Sequence, residues 1–167
     1  MDLYKSLTGS RVVLMCGISG SGKTVFAHSL QEQGFVRLSA DGLIWKKYGD
    51  GFASLPFSER KLIFQGLDDV LTDELCRLLD SGSRVVVDST MCKRFKRDNM
   101  RAVCARYGIE PQIVYLKATL EVLSQRLAAR TGNGPDDQIV SSEQLQGFYA
   151  NFEPPQPDEI FLEIIQQ

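Results

Sequence analysis

Eight consecutive residues constrain this chain more than any others. Gly17-Ile-Ser-Gly-Ser-Gly-Lys23-Thr24 is a complete G-x-x-x-x-G-K-[ST] sequence. Gly17, Gly20 and Gly22 allow backbone angles that a side chain would forbid, so successive N–H groups turn inward as an anion nest. A helix beginning at Lys23 points its positive end at the same spot. Lys23 is then placed to bridge the β- and γ-phosphates of a nucleotide, and the Thr24 hydroxyl to ligate magnesium. Ser19 and Ser21, inside the loop, belong to the same candidate cradle. The flanks agree with this reading. The apolar run Arg11-Val-Val-Leu-Met-Cys16 precedes the loop as a buried strand, and Lys23 to Gln33 follows as a helix with Val25, Phe26 and Leu30 inward, stopped by Gly34.

The rest of the chain repeats the same alternation of short apolar runs and longer helical ones, which predicts βαβ units around a parallel sheet. Phe35 to Leu38 reads as the second strand, Arg84 to Asp88 as the third, Gln112 to Leu116 as the fourth and Ile160 to Ile165 as the last. Pro56 and Ser58 open a long helix carrying Leu62, Ile63, Leu67, Val70, Leu71, Leu75, Leu78 and Leu79 at spacings of three and four, ending at Ser81-Gly82. Further helices read over Phe95 to Tyr107, Leu120 to Arg130, and from a cap at Ser141 or Ser142 to Tyr149. Pro154, Pro155 and Pro157 force an extended segment between the last helix and the last strand. A chain of 167 residues is expected to be one domain, residues 1–167.

Composition excludes several classes. Nineteen Lys and Arg against 21 Asp and Glu, a net charge of −2, do not make a general nucleic-acid coat or a polybasic membrane binder. The start, MDLYKSLTGSR, lacks the apolar stretch of a secretory signal, and no apolar run is long enough to span a bilayer. The four cysteines form no C-x-x-C pair and one histidine is present, so a zinc site is not expected. Free thiols in a reducing cytoplasm are the expected state.

Three sets of side chains extend the loop chemistry. Asp41 follows the second strand in Leu38-Ser-Ala-Asp41. Parallel strands end at the ligand crevice, so Asp41 is a candidate general base for an attacking hydroxyl; as aspartate it equally suits the cap of the next helix. Asp88 closes its strand and is a candidate magnesium residue beside Thr24, or alternatively bonds the Ser89 and Thr90 backbone in a turn. Arg126 and Arg130 share one helix face before a loop holding Gly132, Gly134 and Pro135. They are candidate catalytic arginines on a mobile flap over Leu127 to Ser141, or surface residues paired with Glu121 or Asp136. Lys93, Arg94, Lys96, Arg97 and Arg101 form a basic cluster for an anionic substrate or a solvated helix face. Trp45, Tyr48, Phe52 and Phe57 either line a pocket or pack a small lid. Asn133-Gly-Pro-Asp136 has the spacing of a guanine-reading N-K-x-D but lacks its lysine and follows a helix. It reads as a turn, and ATP is favoured over GTP.

From Val12 to Phe161 the chain resembles the small P-loop ATP-binding kinases related to the kinase domain of polynucleotide kinase, zeta toxin and chloramphenicol phosphotransferase. The resemblance rests on Gly17 to Thr24, Leu38-Ser-Ala-Asp41, Val85-Val-Val-Asp88-Ser-Thr90, Val114-Tyr-Leu to Leu123 with Arg126 and Arg130, and Phe152-Glu-Pro-Pro-Gln-Pro-Asp-Glu159. It implies an α/β P-loop NTPase fold: a five-stranded parallel sheet of order 2-3-1-4-5, helices on both faces, and a lid. It also implies transfer of the γ-phosphoryl group of ATP, with Mg2+, to a hydroxyl. Lys23 and Thr24 are carried over as phosphate and magnesium residues, Asp41 as base, Arg126 and Arg130 as lid arginines, and the segment near Pro154 as neighbour of the adenine.

The departures point to the acceptor. Met91 stands where relatives often have asparagine, Lys117 where many have aspartate, and Ile44 where polynucleotide kinases carry an arginine after the base. Asp41-Gly-Leu-Ile44 is closer to the small-molecule phosphotransferases. The expected acceptor is a small molecule, nucleoside or antibiotic-like. A 5′-hydroxyl polynucleotide kinase and an ATP-binding switch or partner module are the alternatives.

Overall fold

The computed structural model describes residues 7, 9–132, 134, 136 and 139–167. The first six residues, residue 8, and positions 133, 135, 137 and 138 of the expected flap lie outside them, and with these two of the four residues of the Asn133-Gly-Pro-Asp136 turn. Five parallel strands, β1 (Val12–Cys16), β2 (Phe35–Ser39), β3 (Arg84–Asp88), β4 (Gln112–Lys117) and β5 (Phe161–Ile165), form one sheet of order β2-β3-β1-β4-β5. The helices are α1 (Lys23–Gln31), α2 (Ala40–Tyr48), α3 (Gly51–Ser54), α4 (Phe57–Asp80), α5 (Arg94–Ala105), α6 (Leu120–Ala128) and α7 (Ser142–Ala150). This is the sheet order and layering of the P-loop NTPase fold.

Alternation along β1 explains the layers. Val12, Leu14 and Cys16 face Leu71, Leu75 and Leu78 of α4 and Met100 and Val103 of α5. Val13 and Met15 face the other way, onto Ala27 and Leu30 of α1. A strand buried on both faces has no polar positions to spare, hence its continuous apolar run. A third cluster, Ile18, Leu123, Leu127 and Leu145, packs α6 and α7 beneath the phosphate loop. The Ser141 hydroxyl caps α7 through Gln144 N, and the Gln144 side chain returns to Ser141 N.

Three expectations change. Val25 is 76 % exposed rather than inward, and Ala27 takes its place against the sheet. The last turns of α4 make most of its core contact: Leu71, Leu75, Leu78 and Leu79 are buried and Leu67 packs half-buried against the core, whereas Leu62 and Val70 are exposed. The N-terminal half of α4 therefore overhangs the sheet. The stretch holding Trp45, Tyr48 and Phe52 is helical, α2 and α3, broken around Gly49, where the chain turns at positive φ. No helix among the described residues is long and apolar enough to cross a membrane.

Beneath β3, one buried arginine organises two connections. Arg97 donates Nε and Nη2 to both carboxylate oxygens of Glu159 at 2.7 and 3.0 Å, and Nη1 to the carbonyls of Met91 and Glu153 at 2.9 and 2.8 Å. It thereby ties the segment after Asp88 to the proline segment before β5. It also holds Met91, which is buried and at φ 44° despite its side chain. Truncating one partner of such a pair strands the other charge in the interior. Arg97→Ala should lower the urea unfolding free energy by about 3–5 kcal/mol. The double variant Arg97→Met/Glu159→Leu, with no charge left behind, should recover most of that loss. A single-variant loss below about 1 kcal/mol would mean that the pair is not desolvated.

Candidate active site

The register brings the functional ends together. Ser39 pairs with Asp88 across β2 and β3, so both chains leave the sheet at the same level, beside the loop that follows β1. Gly17 sits at φ 151°, and a Cβ there would fall 2.6 Å from Ser21 Oγ and 2.8 Å from Leu116 O. Gly20, at φ 88°, presses on Leu127. Glycine is required at both positions by angle and by space.

Lys23 is buried, and its Nζ donates to Ile18 O at 3.0 Å. Burial drives its pKa down from 10.5 to about 8, against the pull of Asp88 and Asp41. The Thr24 hydroxyl donates to Asp88 Oδ2 at 3.1 Å. Asp88 itself is buried, and Arg37 on β2 holds the same oxygen through Nε at 2.8 Å and Nη2 at 2.6 Å. Arg37 Nη2 also reaches Asp136 Oδ1 at 2.7 Å and Ser39 Oγ at 3.3 Å. Asp88 is thus bonded to side chains, not to a turn of its own.

Asp41 is not the cap of α2. Ser39 is the cap, its Oγ accepting from Gly42 N at 3.0 Å. Asp41 lies in the first turn, where its carboxylate lines the cavity with Lys23, Thr24 and Asp88. The residue is still open to water, but partial desolvation by the surrounding protein, reinforced by Asp88, raises its pKa above the usual aspartate value, while Lys23 opposes the rise. The cavity has a volume of about 770 Å³ and runs from Gly20, Arg126 and Gln166 at one end to Phe64, Asp68 and Lys96 at the other. Arg126 donates Nη1 to Gly20 O at 3.4 Å and Nη2 to Gln167 O at 3.1 Å, and Arg130 Nη1 reaches Ser19 Oγ at 3.4 Å. Both arginines therefore meet the phosphate loop, while Glu121 bonds Gln125 and Asp136 bonds Arg37.

Two expected residues sit elsewhere. The Ser21 hydroxyl is buried with no hydrogen-bond partner among the described residues, and Ser21 lines a second cavity of about 300 Å³. Pro154 lines that second cavity too, beside Tyr115 and Phe152, whose rings stack at 5.5 Å. The two cavities share Leu116 and Gln166 and so adjoin one another.

The basic cluster is not an open anion site. Lys93 pairs with Glu153, Arg94 with Asp98 and Asp158, Lys96 with Asp68, Arg97 with Glu159, and Arg101 with Asp98 and Glu110. Arg37, Phe64 and Asp68 escaped the sequence reading. An arginine within an otherwise apolar second strand was the available signal for Arg37. Phe64 and Asp68 are indistinguishable in sequence from solvated positions of a long helix.

Thr24 and Asp88 offer hard oxygen donors side by side, the chemistry that suits magnesium shared with phosphate oxygens. No cluster of three or more His, Cys, Asp or Glu that could hold a metal by itself occurs among the described residues.

A family described as AAA domain (AAA_33) matches residues 12–155. Among solved structures the chain is similar to a sugar kinase from Janibacter sp., at 22% identity and TM-score 0.69, covering 93% of this chain and 85% of that one. It is similar to Kti12 from Chaetomium thermophilum, solved with ADP-AlF3, at 16% identity and TM-score 0.68, covering 92% and 88%. It is also similar to a shikimate kinase from Acinetobacter baumannii, solved with shikimate, at 19% identity and TM-score 0.56, covering 87% and 78%. At these identities the likeness shows the fold. No curated protein matches the chain.

Arg37 offers a test of the site's internal wiring. Arg37→Met leaves the buried Asp88 carboxylate without its cation and should cost about 3–5 kcal/mol of stability. Arg37→Met/Asp88→Asn should recover much of this, as a double-mutant cycle on the melting temperature would reveal. Additive losses would show that the two side chains do not depend on each other.

Proposed function

The chain belongs to the AAA_33 family, described as AAA domain, and from that premise we propose that residues 1–167, read as one domain, transfer the γ-phosphoryl group of ATP to a hydroxyl of a small-molecule acceptor. The observation that carries this reading is that Asp41 lines the same cavity as Lys23 and Thr24, with Asp88 beside them. A phosphate cradle alone binds nucleotide; a second carboxylate facing it gives a hydroxyl somewhere to leave its proton.

In this reading the loop N–H groups and Lys23 hold the β- and γ-phosphates. A desolvated ammonium gains most when an anion enters, because its burial is then compensated. Thr24 and Asp88 would hold magnesium, which supplies neutralisation of phosphate charge when bound. Arg126 and Arg130, at the rim beside Gly20 and Ser19, neutralise charge developing on the transferred group. The acceptor oxygen bonds to the γ-phosphorus as the bond to ADP breaks, and the hydroxyl proton passes to Asp41. Its raised pKa makes Asp41 a better proton acceptor than an ordinary aspartate.

The competing readings have less support. Ile44, at the position where polynucleotide kinases carry an arginine, is buried in the protein rather than turned to the acceptor. The basic cluster, read as a site for an anionic substrate or a solvated helix face, is paired throughout. A nucleotide switch has no use for Asp41 in the cavity. The four free cysteines accord with a reducing compartment, the cytoplasm.

Lys23→Ala should abolish ATP binding measured by calorimetry while leaving the circular dichroism spectrum unchanged; undiminished affinity would defeat the assignment. Asp41→Asn should keep ATP affinity and lose about 10²–10⁴-fold in phosphoryl transfer. The rate of the unaltered protein should fall as pH drops through the Asp41 pKa, because protonation removes the base. That limb should lie above the ordinary carboxylate range and vanish in Asp41→Asn.

A further inference from the structure

The far end of the cavity carries its own chemistry. Phe64, Leu67 and Asp68 lie at i, i+3 and i+4 on the overhanging half of α4, hence on one helix face, and Lys96 of α5 stands opposite. Lys96 Nζ bonds the Asp68 carboxylate at 3.1 Å, with side chains 33 % and 45 % exposed. Phe64 is 47 % exposed although it lines a cavity, and its ring is braced edge-on by Phe52 at 5.5 Å. Phe52 in turn leans on Tyr48 at 6.0 Å.

Each part selects a ligand property. A braced, half-exposed ring in a cavity wall suits the apolar face of another ring. A lysine–aspartate pair presents donors and acceptors side by side with no net charge: the ammonium has donors beyond the one spent on Asp68, and the carboxylate has lone pairs beyond those spent on Lys96. Two adjacent hydroxyls match this, one donating to Asp68 and one accepting from Lys96. An acid-bearing acceptor meets the opposite situation. The Lys96 charge is already balanced by Asp68, so an acid meets the repulsion of Asp41 without a free cation. An amine meets a balanced Asp68, with Lys96 and Lys23 repelling it.

We propose that the acceptor is an uncharged polyhydroxylated ring, such as a neutral sugar, a cyclitol or a ribose, with its apolar face on Phe64 and a vicinal diol on Asp68 and Lys96. This rests on the kinase reading above and extends it to the acceptor. A third hydroxyl of the same ring then faces Asp41.

The test measures ADP release with ATP and three matched acceptor sets: neutral hexoses, pentoses and cyclitols; the corresponding uronic acids; and the corresponding amino sugars. The neutral set should exceed both charged sets in kcat/KM by about tenfold or more, because a charged acceptor meets like charge in the cavity. Asp68→Asn should raise KM for the neutral acceptor about tenfold and leave KM for ATP unchanged. It should also improve kcat/KM for the uronic acid, because Lys96 is released. Phe64→Ala should raise acceptor KM alone. Saturation-transfer NMR of the neutral acceptor, with a non-hydrolysable ATP analogue bound, should show contacts in the unaltered protein that weaken in Asp68→Asn. Preference for acids or amines, or an Asp68→Asn variant that leaves acceptor preference untouched, overturns the acceptor inference while the kinase reading stands. Bound ATP with no turnover on any of the three sets overturns the acceptor inference. ATP consumed only to ADP and inorganic phosphate, with no ester formed from any hydroxyl acceptor, overturns the kinase reading.

Discussion

A single ammonium group, Lys23 Nζ, is taken out of water at the mouth of a parallel sheet, and much of the site follows from that. An isolated buried charge is too costly to keep, so it must find compensation. The compensation here is a carbonyl of its own loop, Ile18 O, and the nearby carboxylates of Asp88 and Asp41. Burial still wins, which is why the Lys23 pKa falls to about 8. The site is therefore incomplete in charge terms until an anion of the right size occupies the loop.

The sheet supplies the carboxylates without further machinery. All five strands run the same way, so β1, β2 and β3 release their chains at one edge. Asp88 is the last residue of β3, and Ser39, the last of β2, caps the helix that carries Asp41. Because Ser39 performs the capping, Asp41 is spared that duty and can face the ligand. Arg37 meets the opposite problem, a buried carboxylate at Asp88, and connects it to Asp136. Arg97 and Glu159 do the same for the loop beyond. Local charges are balanced in pairs around the loop, which under the proposed function is the phosphate site.

Much of this was legible in the sequence, for identifiable reasons. The loop is readable because only glycine tolerates its angles and close contacts. The central strand β1 is readable because burial on both faces removes every polar position. Asp88 is readable because a carboxylate ending such a strand needs a partner. Other features depend on long-range geometry. The outward turn of Val25 and the overhang of α4 follow from how far the sheet extends beneath each helix, and apolar spacing does not record that. The helices α2 and α3 were hidden by aromatic residues that read equally well as pocket or lid. Ser21 and Pro154 face a second cavity because β4, α6 and the proline segment meet behind the loop, an arrangement set by tertiary packing.

Phosphoryl transfer needs mainly positioning and charge stabilisation, and under the proposed function the one cavity between the loop and the Phe64 and Asp68 wall has to supply both. The most direct measurement of the central claim is phosphorus NMR of the protein incubated with ATP, magnesium and a neutral polyol. The expected result is a phosphate monoester resonance growing in step with ADP. ATP consumed only to inorganic phosphate and ADP, with no ester formed from any hydroxyl acceptor, would contradict it.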